Sequence, residues 1–202
     1  MNDHYYSHTP TSAHHERLIE TKILGRDMRF NTDAGVFSRD DVDPGSRLLI
    51  ESMGPLTGRV LDLGCGWGPV GTALGRKYPE AEILLTDLNA RAAELAERNL
   101  RANGVKNAKV VQGDGYENVD GRFDAIVLNP PIRTGKEVIY GMFAGAKEHL
   151  SENGALYIVI RKQQGAESAE KYLKTLYASV GRISREKGYW VLRCSNQADE
   201  EQ

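Results

Sequence analysis

From Arg59 onward the chain alternates short apolar runs with longer amphipathic stretches. The apolar runs are residues 59–64 (RVLDLG), 82–88 (EILLTDL), 108–114 (AKVVQGD), 123–131 (FDAIVLNPP) and 154–162 (GALYIVIRK). Their continuous apolar character, without in/out alternation, is that of parallel strands buried on both faces. Between them, residues 69–78, 90–104, 136–154 and 167–181 carry apolar positions at helical spacing. Strand–helix alternation predicts right-handed crossovers in a doubly wound sheet. The end of the chain breaks that rhythm. Residues 181–188 (GRISREKG) and 189–196 (YWVLRCSN) are two strand-like runs joined only by a turn, so the last strand must return antiparallel to its neighbour.

Upstream of Gly58 the texture is irregular. Residues 16–30 alternate loosely around a glycine, as in a short hairpin, and Asp43-Pro44-Gly45 opens a helical run, SRLLIESM. The predicted architecture is α/β and Rossmann-like: a seven-stranded, mostly parallel sheet with one antiparallel strand in a C-terminal hairpin, plus an N-terminal hairpin and helix. The expected divisions are an N-terminal extension (1–57), a ligand-binding core (58–196) and an acidic tail (197–202). No internal repeat interrupts this plan.

Composition narrows the function classes. At 202 residues and 40% hydrophobic side chains the chain suits one core. No run reaches the roughly 20 apolar residues that cross a bilayer, and residues 1–18 lack the apolar centre of a signal peptide, so a cytoplasmic location is expected. Cys65 and Cys194, the only cysteines, are too few for a disulfide framework or a four-thiolate metal site. His4 and His8 could share a helical face as metal ligands, but the Ser, Thr, Asn and Pro around them favour an arm with scattered imidazoles, and no metal is expected. The net charge of −2 conceals an asymmetry: residues 133–193 carry 11 basic and 6 acidic side chains, residues 1–132 carry 15 and 19. The basic stretch is either a solvated surface or a contact for a phosphate backbone.

Two motifs carry chemistry. Gly64, Gly66 and Gly68 stand where the first parallel strand hands over to a helix, a turn that needs unusual backbone angles and lets a ligand approach Cys65 and its neighbours closely. Alone, this pattern also fits nicotinamide and flavin enzymes. Asp62, two residues earlier, would repel a dinucleotide's pyrophosphate and attract an ammonium group. Asp87, 21 residues beyond Gly66 and followed by Leu88, ends the second strand where a carboxylate accepts from ribose hydroxyls. Gly113-Asp114 ends the third strand; Asp114 either accepts from an adenine amino group or forms a turn. Together these select S-adenosylmethionine as cofactor.

The second motif is Asn129-Pro130-Pro131, at the carboxyl end of the fourth strand. Consecutive prolines hold Asn129 and Pro130 extended. The Asn129 side-chain oxygen and the Pro130 carbonyl then become two fixed acceptors, suited to an exocyclic amino group whose lone pair must face a sulfonium methyl, and Asn129 is expected to border the cofactor as well. Ile132, Arg133 and Lys136 follow directly and could contact a substrate, although Gly135 and Lys136 also read as the opening of a helix. Trp67 either covers the adenosine or packs against the helix after the glycine loop, and packing is the expectation.

With Gly35-Val36-Phe37-Ser38-Arg39-Asp40 and Asp43-Pro44-Gly45-Ser46 ahead of the glycine loop and Asn129-Pro130-Pro131 behind it, residues 30–195 resemble the small-domain methyltransferases related to the catalytic half of small-subunit ribosomal RNA guanine-N2 methyltransferases. The resemblance implies a guanine amino group in ribosomal RNA, free or in an assembly intermediate, as acceptor, and sets Phe37 near the substrate; Phe37 is equally readable as a core aromatic. Two features depart from the pattern. The chain leaves no room for the second, inactive domain of the larger enzymes, so RNA is engaged differently or with a partner. Position 132 is Ile, where many Asn-Pro-Pro enzymes place an aromatic that stacks on a flipped base. Methylation of a protein glutamine or another amine, cofactor binding without catalysis as an RNA-binding module, and nicotinamide chemistry are the alternatives. Monomer and homodimer remain equally open.

Overall fold

A computed structural model of the chain describes residues 13–198. The elements run β1 (Arg17–Ile23), β2 (Arg26–Thr32), α1 (Pro44–Ser52), β3 (Gly58–Leu63), α2 (Pro69–Lys77), β4 (Ala81–Asp87), α3 (Ala90–Ala102), β5 (Ala108–Gln112), β6 (Phe123–Leu128), α4 (Lys136–His149), β7 (Leu150–Arg161), α5 (Ala166–Leu176), β8 (Ser179–Glu186) and β9 (Tyr189–Ser195). Seven strands form one sheet in the order β5-β4-β3-β6-β7-β9-β8. The four pairings from β5 to β7 are parallel, and β9 runs antiparallel to both neighbours. The Rossmann-like sheet and its reversed C-terminal strand therefore take the form the apolar pattern predicts.

Side chains from alternate strand positions feed two cores. One, with Val60, Leu85, Ala125, Val127 and Val159, is covered by Leu49, Leu74 and Leu95 from α1, α2 and α3. The other, with Leu61, Leu84, Ile126, Leu128 and Ile158, is covered by Phe143 and Leu173 from α4 and α5. No helix among the described residues is long and apolar enough to cross a membrane.

Two boundaries differ from the sequence reading. The predicted helix 136–154 ends at His149, and Leu150–Gly154 join β7 with a register irregularity opposite β6. Likewise the helix predicted over 167–181 stops at Leu176, and Ser179–Gly181 pair with β9. In both places buried residues that continue the helical period, Leu150 and Tyr177, are held by extended backbone, so tertiary packing outweighs local periodicity.

The β1–β2 hairpin is a separate two-stranded sheet whose Ile19, Ile23, Met28 and Phe30 enter the first core. Its attachment depends on two asparagines of α3. Asn99 accepts from Asn31 N (2.7 Å) and donates to Asn31 O (2.9 Å). Asn103 does the same for Arg29, at 3.2 and 2.7 Å. Four helical residues rise about 6 Å and two strand residues about 6.6 Å, so carboxamides at i and i+4 match backbone groups at j and j+2 and complete the free edge of β2. Asn99 also donates to Trp67 O at 2.8 Å, joining the hairpin to the glycine loop. Asn99→Ala strands these buried groups and is expected to cost about 2–4 kcal/mol in urea denaturation; a loss below 0.5 kcal/mol, on the order of an exposed-site change, contradicts this role.

Candidate active site

The parallel register brings the motif residues into one place. Leu63 is level with Thr86 on β4 and Leu128 on β6, so the next positions, Gly64, Asp87 and Asn129, form one row at the carboxyl ends of adjacent strands. β3 and β6 adjoin where the strand order reverses, the position at which open α/β sheets bind ligands. Asp62, two rows before Gly64, shares the face of Val60, toward α1–α3.

The glycine loop is built from left-handed backbone at Gly64, Gly66 and Gly68, with φ of 67°, 57° and 81°. At Gly66 an added Cβ would meet nothing within 4 Å, which leaves open space above the loop. At Gly68 it would press on Ala96 and Leu85, so that glycine serves close packing. Cys65 contributes backbone to the loop, its N–H donating to Thr86 O, while its thiol is buried. Burial pushes the Cys65 thiol far up and that of Cys194 up to about 12, so neither is a nucleophile at neutral pH.

Asp62 is 4% exposed and accepts from the Gly71 N–H on the first turn of α2, at 2.7 Å. Burial, partly offset by that hydrogen bond and reinforced by Asp87, raises its carboxyl to about 7. Gly71 has to be glycine, because a Cβ would lie 2.6 Å from Leu85 and 3.0 Å from the Asp62 carboxylate. Asp87 accepts from Gly66 N (2.7 Å) and Asn89 N (2.9 Å), and burial raises its carboxyl as well. Leu88 is half-buried, and its carbonyl accepts from Gln112. Gly113 N–H donates to Asp87 O, which draws the end of β5 to that of β4. Asp114 is exposed, and its carbonyl closes a turn with Glu117 N–H; the side chain is thus both a turn residue and open to a ligand.

Asn129 is half-buried, and its amide nitrogen donates to Asp43 Oδ2 (3.1 Å) and Ser46 Oγ (3.0 Å). Among the described residues no group donates to Asn129 Oδ1 or to the Pro130 carbonyl. The Pro131 carbonyl, in contrast, accepts from Thr134 N and Oγ1 within a 3-10 turn over Ile132–Thr134. Ile132 packs against the α4–α5 core, while Arg133 and Lys136 are exposed, Lys136 as the first residue of α4.

The segment after β2 straps across the glycine loop. The Gly35 carbonyl accepts from Asn89 Nδ2 (3.0 Å) and the Phe37 carbonyl from Trp67 Nε1 (2.8 Å). Trp67 does pack rather than line the site, but its ring meets Phe30 of the hairpin edge-on at 5.1 Å. Phe37 is 45% exposed and is no core aromatic. His4 and His8 lie outside the described residues; His14 meets buried Asp33 at 2.5 Å. Asp43, Ser46, Asn89 and Asn99 were not predicted to serve the site. Asp43 was legible as a helix cap, yet its partner lies 86 residues away.

Comparisons with known proteins identify the family. The methyltransferase small domain family matches residues 27–193. The uncharacterized protein YbxB of Bacillus subtilis (strain 168) is 41% identical over 197 residues, covering 96% of this chain and 98% of that protein. Ribosomal RNA small subunit methyltransferase C of Citrobacter koseri is 41% identical over 138 residues, 66% of this chain and 40% of that enzyme. The T. thermophilus 16S rRNA N2 G1207 methyltransferase, RsmC, solved with AdoMet and guanosine, superposes with a TM-score of 0.82 at 29% identity, over 90% of this chain and 51% of that one. This chain thus spans about two-fifths to one half of the RNA methyltransferases it matches. The chain belongs to the methyltransferase small domain family, class I enzymes whose methyl donor is S-adenosylmethionine.

The raised carboxyl of Asp62 sets a stability signature. Between pH 3.8, its ordinary value, and about 7, the folded protein holds a proton that the unfolded chain releases, so stability falls as pH rises through that window. Asp62→Asn lacks this penalty. Relative to wild type it is expected to gain about 2–3 kcal/mol between pH 5 and pH 8 in denaturant titrations; a pH-independent difference contradicts the raised carboxyl.

Proposed function

We propose that the chain methylates an exocyclic amino group of RNA, with guanine N2 in ribosomal RNA as the acceptor. The observation that carries this reading is the pair of acceptors, Asn129 Oδ1 and the Pro130 carbonyl, that no group among the described residues engages, at the switch point of the sheet and in the same row as Asp87. An exocyclic amine has two hydrogens for these two acceptors. Holding both turns its lone pair out of conjugation and along one line of approach, which supplies orientation rather than a strong base.

The donor set fits S-adenosylmethionine, the group that supplies an activated methyl on a sulfonium. The open space over Gly66, the buried Asp62 carboxyl and the paired backbone bonds of Asp87 suit an amino acid at one end and a ribose at the other. In this reading Asp62, with Gly64, Cys65, Gly66 and Gly68, receives the methionine part. Asp87 and Leu88 hold the ribose, and Gly113 and Asp114 border the adenine.

Support for RNA comes from three sources. The T. thermophilus enzyme solved with AdoMet and guanosine superposes on this chain at 29% identity, and the C. koseri protein named ribosomal RNA small subunit methyltransferase C is 41% identical over 66% of it. Charge along the carboxyl edge is divided: Asp87, Asp114 and Glu117 flank the cofactor half, while exposed Arg133, Lys136, Arg161, Lys162, Arg185 and Lys187 flank the half beyond Asn129, against Glu137, Glu167 and Glu186. A phosphate backbone is favoured on the second half only. Finally, half-exposed Phe37, tied to the glycine loop through its carbonyl, offers a base the aromatic face that Ile132 lacks.

The test supplies methyl-labelled S-adenosylmethionine with ribosomal RNA from a strain lacking the gene. The expected product is labelled N2-methylguanosine, and Asn129→Ala lowers kcat by about 100-fold or more while the cofactor Kd stays within threefold. Label in protein, or at another RNA position, overturns the choice of acceptor. Cofactor binding with no transfer overturns the enzymatic reading.

A further inference from the structure

The acceptor role of Asn129 requires its oxygen, not its nitrogen, to face the substrate, and a carboxamide rotated by half a turn would present a donor that repels an amine's hydrogens. Residues outside the Asn-Pro-Pro motif decide this orientation. Asp43 Oδ2 is an acceptor only, so the Asn129 edge lying 3.1 Å from it is the NH2 edge, and Ser46 Oγ takes the same group at 3.0 Å. The same Asp43 oxygen accepts from Ser46 N at 3.0 Å as the cap of α1, which fixes the carboxylate before Asn129 reaches it. Packing holds the pair in place: Ser46 is 5% exposed, and at Gly45 any Cβ would lie 2.8 Å from the Tyr189 ring.

We infer that Asp43 and Ser46 are positioning residues that lock the Asn129 carboxamide with Oδ1 toward the substrate, and that the Asp43 charge strengthens Oδ1 as an acceptor. This rests on the reading that Asn129 receives the accepting amine. The physical reason for the second effect is polarisation. A carboxylate accepting from an amide N–H pushes electron density onto the amide oxygen, where positive charge develops on the amine during transfer. Asp43-Pro44-Gly45-Ser46 thus combines a helix cap, a glycine that admits Tyr189 and a two-point clamp on the active-site amide.

Two substitutions separate clamping from capping. Asp43→Ser retains an N-cap but cannot span to Asn129, whereas Asp43→Asn retains an oxygen for both bonds and loses only the charge. Asp43→Ser is expected to lower kcat about 10- to 100-fold with the KM for S-adenosylmethionine and the Tm essentially unchanged. Asp43→Asn restores kcat to within about tenfold of wild type. In 15N-edited NMR the Asn129 carboxamide protons, assigned by their loss in Asn129→Ala, are expected to be inequivalent and slow to exchange in wild type and Asp43→Asn, and solvent-like in Asp43→Ser. Ser46→Ala leaves the cap intact, and a drop of about 3- to 10-fold in kcat covers the case in which Asp43→Ser fails to fold. Wild-type kcat in Asp43→Ser or Ser46→Ala, or an unchanged carboxamide signature in Asp43→Ser, overturns the inference. A wild-type protein that transfers no methyl overturns the proposed function instead, with the NMR comparison still deciding the clamp.

Discussion

A carboxyl group buried at the centre of the sheet, with no cation beside it among the described residues, is the constraint around which the rest of this structure is arranged. Asp62 faces the first turn of α2 and draws one backbone hydrogen bond from Gly71. That contact requires glycine at 71 and seats α2 close against β3 and β4. A half-titrated acid is costly in an apolar interior, and a ligand that brings a positive charge relieves the cost. Asp87 repeats the theme two rows on, where its two oxygens fasten the glycine loop and the start of α3. In the proposed reading a cationic cofactor offsets the cost of these buried carboxyls.

Asn129 solves the complementary problem of presenting acceptors rather than charge. It continues the same row as Gly64 and Asp87, so the strand register sets the proposed amine holder beside the residues proposed to receive the methyl donor. The prolines that follow stop β6 from continuing its ladder and keep the Pro130 carbonyl clear of helix formation. On the opposite side of Asn129 lies α1, which enters the sheet's first core through Leu49 and Ile50 and so carries Asp43 and Ser46 to the amide. Fold stability and amide orientation share the same helix cap.

Much of this was legible in the sequence, because strands buried on both faces, glycines at a strand–helix turn and an Asn-Pro-Pro strand end are local patterns with few physical explanations. The sheet, its reversed last strand and the hairpin all follow from them. What was not legible depends on side chains meeting across long separations. Asn99 and Asn103 look like ordinary polar positions on α3, and only the fold reveals that their four-residue spacing matches the edge of β2. Asp43 reads as a cap, Phe37 as a possible core aromatic, and Trp67 as a partner of α2 rather than of Phe30. The ends of α4 and α5 were misread because the apolar period runs on into β7 and β8 after the backbone has become extended.

A buried acid that partners the cofactor's positive charge must give up its proton when the cofactor binds. Titrating S-adenosylmethionine into the protein calorimetrically at pH 6, in buffers of different ionisation enthalpy, reads the protons exchanged on binding. Because the Asp62 carboxyl is raised to about 7, it is protonated at pH 6, and a cation beside it drives the proton off. The predicted result is the release of about one proton per site at pH 6, fading toward zero by about pH 8 and absent in Asp62→Asn. Binding at pH 6 with no proton released by the wild-type protein, or with the same release in Asp62→Asn, would contradict it.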